Sequence, residues 1–100
     1  MRDGQDFEPV SLMLAKVIEA CSSEDKLDLD YKQKVEIESQ IVKPLKDSLP
    51  GINAYSVSST LKNVLKLQVV RIGGRNCVYP TEESLRNAAE IIGYRDEALT

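Results

Sequence analysis

The side chains that most often carry out catalysis are scarce in this chain. It contains no histidine, so no imidazole can act as a general base. Its two cysteines, Cys21 and Cys77, are too few soft ligands for a zinc site. The carboxylates Glu36 and Glu38 lie two positions apart on a predicted helix, so they do not converge on one face. We therefore expect no enzyme, no metal and no cofactor.

The basic residues that could meet a polyanion are concentrated in a segment without acids. Residues 1–30 carry eight acidic and three basic residues, and residues 80–100 carry five and two. Between Asp47 and Glu82 there is no acid. The basic residues of that window are Lys62, Lys66, Arg71 and Arg75. Because charge contacts are screened within about 8–10 Å, this local excess matters more for a polyanion than the net charge of −3.

Hydrophobic periodicity predicts the elements that position these residues. Apolar residues at helical spacing, followed by a β-branched segment with a Gly-Gly turn, predict a mainly α-helical fold with one small β-hairpin. The predicted order is α-α-α-β-β-α. The predicted helices are 7–22, 31–49, 56–66 and 81–92, and the hairpin is 67–79.

Capping and breaking residues set the boundaries of these elements. Asp6, Asp30, Ser56 and Thr81 are predicted N-caps. Pro44 kinks or breaks the second helix, which would restart with this proline in its first turn. In the hairpin, residues 73–76 have turn chemistry and residues 77–79 are the predicted return strand.

One domain is expected over residues 1–93, ended by Gly93, with residues 94–100 as a C-terminal tail. Its predicted core brings the third helix against the first and the last. The residues expected to be buried together are Val17, Ile18, Val57, Leu61, Leu65 and Leu85.

The segment from about Tyr31 to Tyr79 resembles a winged helix-turn-helix domain. Residues 55–65 look like its recognition helix, and residues 67–79, with Gly73-Gly74, look like its wing. The pattern is similar to small domains of phage and plasmid replication or regulatory proteins.

The resemblance implies duplex DNA as the partner, with the recognition helix in the major groove and the wing against the minor groove or backbone. Serine hydroxyls would contact phosphate or base edges, Asn63 would pair with adenine, and the basic residues would reach phosphates or guanine. The residues expected to bind nucleic acid are Ser58, Ser59, Lys62, Asn63, Lys66, Arg71, Arg75 and Asn76.

Each feature also has an ordinary explanation. Serine, lysine and asparagine are common on the solvent face of a helix, and Tyr55 and Tyr79 favour core or hairpin packing over base stacking. An alternative function is a protein-interaction module, or a homodimer, that uses the acidic N-terminal and C-terminal helices.

The sequence predicts no membrane contact, because it has no apolar run of about 18 residues. Its N-terminus is polar and acidic, which predicts no signal peptide and hence a cytoplasmic protein. In that reducing compartment we expect Cys21 and Cys77 to be buried thiols that are not joined to each other, and the alternative is a disulfide between them.

Overall fold

The computed structural model describes residues 8–23, 26–27 and 34–95 of the chain. These residues form a mostly helical fold with a small three-stranded antiparallel sheet. The predicted caps at Asp6 and Asp30 and the last five residues of the predicted tail lie outside the described residues.

The elements follow one another in a mixed order. Helix α1 leads into a two-stranded hairpin, and a further strand precedes a π-helical segment that continues directly as α2. Helix α3, a second hairpin and α4 complete the described chain. The bounds are α1 Glu8–Ala20, β1 Ser22–Ser23, β2 Lys26–Leu27, β3 Val35–Glu36, π-helical segment Glu38–Val42, α2 Lys43–Leu45, α3 Ala54–Asn63, β4 Val69–Ile72, β5 Arg75–Val78 and α4 Glu82–Ile92.

The predicted helix over 31–49 is wrong at residues 35 and 36, while its residues 31–33 lie outside the described part of the chain. Val35 and Glu36 form β3, which pairs antiparallel with β5, so that Val35 lies opposite Val78. Both valines are fully buried, because the pairing places them on the sheet face that packs against the helices. The sheet order is therefore β3-β5-β4, and the element order differs from the predicted α-α-α-β-β-α.

Pro44 has the predicted effect on the second helix. The N–H of Lys43 donates to the carbonyl of Glu38, five residues back, and Pro44 then occupies the first turn of α2. Proline has no N–H for a continuous α-helical ladder, so the wider π-helical spacing is used just before it. The helix ends at Leu45, earlier than predicted.

Helix α3 begins two residues earlier than predicted because Asn53, and not Ser56, is its N-cap. The Asn53 side chain accepts from the Ser56 N–H at 2.8 Å, and the Ser56 hydroxyl accepts from the Asn53 N–H at 3.4 Å. Each residue thus satisfies an N–H group of the other, as in a capping box. Tyr55 is consequently a helix residue and not part of the preceding linker.

Helix α4 follows the prediction closely. Thr81 is its N-cap, in a capping box with Ser84, and Gly93 ends it at φ 69°. This left-handed conformation is one that glycine adopts without a steric penalty.

The core lies where α1, the π-helical segment, α3 and the sheet meet, with α4 against α1. All six residues predicted to be buried together are in it. Cys21 and Cys77 are both buried as predicted and are not joined in a disulfide. No helix in the described ranges combines the length and the apolar character that crossing a membrane requires.

Candidate nucleic-acid interface

The outward face of α3 carries polar side chains together with one aromatic side chain. Tyr55, Ser59 and Lys62 follow one another at helical spacing, and Asn63 is adjacent to them. The Tyr55 side chain is 83% exposed, so the expectation that it packs into the core or the hairpin is wrong. Tyr79 is half-buried. A helix face with an exposed phenol, hydroxyl, amide and ammonium can both donate and accept hydrogen bonds.

A side-chain hydrogen bond orders the end of this face. The Asn63 Nδ2 donates to the Ser59 Oγ at 3.1 Å, one helical turn back. This bond leaves the amide oxygen and one N–H of Asn63 available to another molecule. Ser58 differs from Ser59, because its Oγ is buried and has no hydrogen-bond partner within the described part of the chain. Ser58 is therefore turned towards the protein and is the weakest of the predicted contacts.

Lys66 lies just beyond α3 in an unusual backbone conformation. Its φ is +60°, in the left-handed region, and it is the one described residue other than glycine with a positive φ. The Leu67 N–H then donates to the carbonyl of Leu61, six positions back, at 2.8 Å. The Lys66 side chain is exposed on the connection from α3 to the hairpin.

The hairpin turn is shorter than predicted. Gly73 and Gly74 have φ of +59° and +79°, and Ile72 pairs directly with Arg75. Positive φ at both central residues is what a two-residue type I′ turn requires. Arg75 and Asn76 therefore belong to β5 and not to the turn.

The pairing register places the two hairpin arginines on opposite faces. Arg71 lies opposite Asn76, and these two share the sheet face of the buried Val78. Arg75 is one residue away from Asn76 and shares the other face with Cys77, because successive strand residues alternate. The fold thus groups Arg71 with Asn76 and separates Arg75 from them.

Arg75 also forms an ion pair with a carboxylate, and the sequence analysis did not predict this contact. Its Nη1 donates to the Glu36 Oε2 at 3.0 Å, and the Ser39 hydroxyl donates to the Glu36 Oε1 at 2.7 Å. The hydrogen bond from Ser39, together with Arg75, keeps the pKa of the Glu36 carboxyl below its ordinary value. Glu36 lies 39 positions before Arg75, so only the β3–β5 pairing brings the two together.

The other basic residues of the acid-free window have no such partner in the part of the chain that the structure describes. Lys62, Lys66 and Arg71 are exposed, and in the described ranges no carboxylate forms an ion pair with any of them. A phosphate approaching these three cations would not have to displace an acid of the described ranges.

The described residues also include an apolar pocket. An apolar cavity of about 340 Å³ lies beside the start of α3 and is lined by residues such as Met13, Leu49 and Ile52. No ionisable side chain lines it. No group of three or more potential metal ligands occurs among the described residues. No family model, curated protein or solved structure matches the chain.

Proposed function

We propose that this protein binds duplex DNA as a winged helix-turn-helix domain, in a regulatory or replication-accessory role in the cytoplasm. Helix α3 would enter the major groove, and the β4–β5 hairpin would be the wing. The observation that carries the proposal is a set of exposed cations on α3, just after it and on the hairpin, which form no ion pair with any described carboxylate. They are Lys62, Lys66 and Arg71.

The sheet topology supports the same proposal. Strand β3 precedes the second helix and pairs with β5, the second strand of the hairpin. The hairpin is thereby fixed to the helical core beside α3, as a wing has to be. Leu67, four residues after the end of α3, is buried, so the connection from α3 to β4 is anchored as well.

The residues of the proposed interface have distinct roles. Lys62, Lys66 and Arg71 would neutralise phosphates, while Ser59, Asn63 and Asn76 would make shorter polar contacts. The amide of Asn63 suits adenine, and the Ser59 hydroxyl that accepts from it fixes its orientation. Tyr55 is added to this face because it is exposed in line with Ser59 and Lys62.

The first prediction concerns the dependence of binding on salt. Each neutralised phosphate contributes about −0.9 to the slope of log K against log salt concentration. Lys62→Ala and Arg71→Ala should each weaken binding to all duplexes and flatten the slope by about one unit. The measurement is an electrophoretic shift on a random duplex over a series of salt concentrations.

Arg86→Ala is the matched control for this experiment. It also removes one positive charge, but Arg86 lies on α4 in an ion pair with Glu82 at 3.0 Å, outside the proposed interface. Its slope should equal that of the wild type. The proposal fails if the wild type shows no shift at tens of micromolar protein in low salt, or if all three variants behave alike.

The second candidate is a protein-interaction module. Its supporting observation is that α4 exposes Glu82, Glu83 and Glu90 together with Ile91, which is 48% exposed. A helix that exposes acids and an apolar side chain suits a basic protein partner or a second copy of the chain. This candidate would be favoured if the chain bound a protein partner with an affinity that does not depend on salt and caused no electrophoretic shift of DNA.

A further inference from the structure

We propose that Glu36 competes with DNA phosphate for Arg75. This cation of the wing would then stay paired with Glu36 until a phosphate replaces the carboxylate. The inference rests on the proposed function, since it concerns the same interface. Its starting observation is the contact of 3.0 Å between the Arg75 Nη1 and the Glu36 Oε2.

The carboxylate of Glu36 is fixed independently of Arg75. The Ser39 hydroxyl binds its other oxygen at 2.7 Å, and the Glu36 N–H donates to the Gln40 Oε1 at 2.7 Å. Glu36 also belongs to β3, where it lies opposite Cys77 of β5. When Arg75 leaves, the carboxylate therefore stays in place, hydrogen-bonded by Ser39.

Arg75, in contrast, is free to move from its partner. Its side chain is 68% exposed, whereas that of Glu36 is 23% exposed. Exposed ion pairs are weak, because both charges are still solvated and a long side chain must be ordered to form them. A DNA phosphate can therefore exchange with the carboxylate, at a cost in affinity.

The position of Arg75 on the hairpin would let it contact a DNA backbone that Arg71 does not reach. Arg71 and Arg75 lie on opposite faces of the hairpin, and Arg75 directly follows the Gly73-Gly74 turn. Two phosphate backbones border a minor groove about 6 Å wide. A wing tip between them would meet one backbone with each face, so that Arg75 supplies the contact that Arg71 cannot.

The experiment compares Glu36→Gln with Glu38→Gln in the electrophoretic shift assay on random duplex DNA. Glu36→Gln keeps an oxygen for Ser39 but releases Arg75, so affinity at low salt should rise about three- to fivefold. The salt slope should steepen by about one unit as Arg75 gains a phosphate. Glu38→Gln removes the same charge from an exposed residue that has no ion pair among the described residues, and its slope should not change.

Two further variants separate release of Arg75 from other effects. Glu36→Asp keeps the charge but shortens the side chain by one methylene, so it should also raise affinity, and it covers the case in which Glu36→Gln does not fold. Adding Arg75→Ala to Glu36→Gln should abolish the gain in affinity and slope. Thermal unfolding of each variant verifies that it is folded.

The outcomes distinguish this inference from the proposed function. If the wild type binds DNA through Lys62 and Arg71 but Glu36→Gln equals Glu38→Gln, only the role of Glu36 is overturned. The role of Glu36 is likewise overturned if the double variant with Glu36→Gln and Arg75→Ala keeps the gain in affinity and slope. If neither the wild type nor Glu36→Gln shifts DNA, both proposals are overturned.

Discussion

Lys66 is the residue whose conformation is hardest to explain by stability alone. The left-handed region costs a residue with a Cβ about 1–2 kcal/mol, and glycine usually occupies this place after a helix. Lys66 adopts φ +60° there nonetheless. Strained positions are retained where the side chain serves a function, and this lysine lies between the proposed recognition helix and wing.

Lys66→Gly is accordingly predicted to stabilise the protein and to weaken DNA binding. Relief of the left-handed conformation outweighs the entropy lost by ordering a glycine, about 0.5–1 kcal/mol, so unfolding should cost about 0.5 kcal/mol more. Loss of one phosphate contact should flatten the salt slope by about one unit. Urea denaturation and the shift assay measure the two effects on the same sample. An unchanged slope would show that Lys66 does not touch DNA.

The elements that sequence reasoning predicted are those whose signals are local. Helices α1, α3 and α4 and the hairpin follow from apolar spacing, caps and the Gly-Gly turn, each readable within a few residues. Strand β3 has no such signal, because it is two residues long and exists through its pairing with β5. The predicted helix began after the Asp30 cap and took Val35, Ile41 and Leu45 as apolar positions of one helix, so it ran across Val35 and Glu36.

The same limit applies to the candidate site. The exposed positions of Lys62 and Asn63 followed from helical spacing. Lys66 is exposed too, but the predicted end of the helix at residue 66 is wrong, because α3 ends at Asn63. The separation of Arg71 from Arg75 depended on whether Arg75 lies in the turn or in β5, and the ion pair with Glu36 depended on β3. The ion pair arises from strand pairing over 39 positions, which the order of residues along the chain does not reveal. The separation of the two arginines depends on the exact register of a local hairpin, which the sequence analysis placed differently.

The turn of the hairpin can be tested at the scale of this element. Gly74→Ala should lower the free energy of unfolding by about 1–2 kcal/mol, because φ is +79° at Gly74 and alanine is strained there. A Cβ at this position has nothing within 4 Å, so the cost is conformational and not steric crowding. Chemical denaturation measures it.

Gly51→Ala is the control for this variant. Its Cβ also meets open space, but its φ is not in the positive region, so alanine should be neutral or slightly stabilising. Equal losses in the two variants would mean that the turn is not of the two-residue type. Gly74→Ala should also weaken the affinity for DNA, because it disturbs the contacts of the β4–β5 hairpin and leaves those of α3 unchanged.

At the scale of the whole molecule, one face of α3 packs in the core and stabilises the fold, while the opposite face is exposed and belongs to the proposed interface. Leu61 is fully buried and belongs to the core that joins α3 to α1 and the sheet, while Tyr55 on the same helix is almost fully exposed. A domain of this size has a total stability of about 5–15 kcal/mol, so the loss of one core contact is a large fraction of it. The outward face contributes little to that total.

Leu61→Ala and Tyr55→Ala should therefore have opposite effects on stability and on DNA affinity. Leu61→Ala leaves a cavity in the core and should cost about 2–5 kcal/mol of unfolding free energy, while the folded fraction still binds DNA with wild-type affinity. Tyr55→Ala should change stability by less than about 0.5 kcal/mol, since its side chain is exposed, but should weaken DNA binding by about 1 kcal/mol, the value of one polar contact. Urea denaturation and DNA titration of both variants test the pair. If Tyr55→Ala alters neither property, the DNA does not reach the start of α3, and the interface is confined to Lys62, Lys66 and the hairpin.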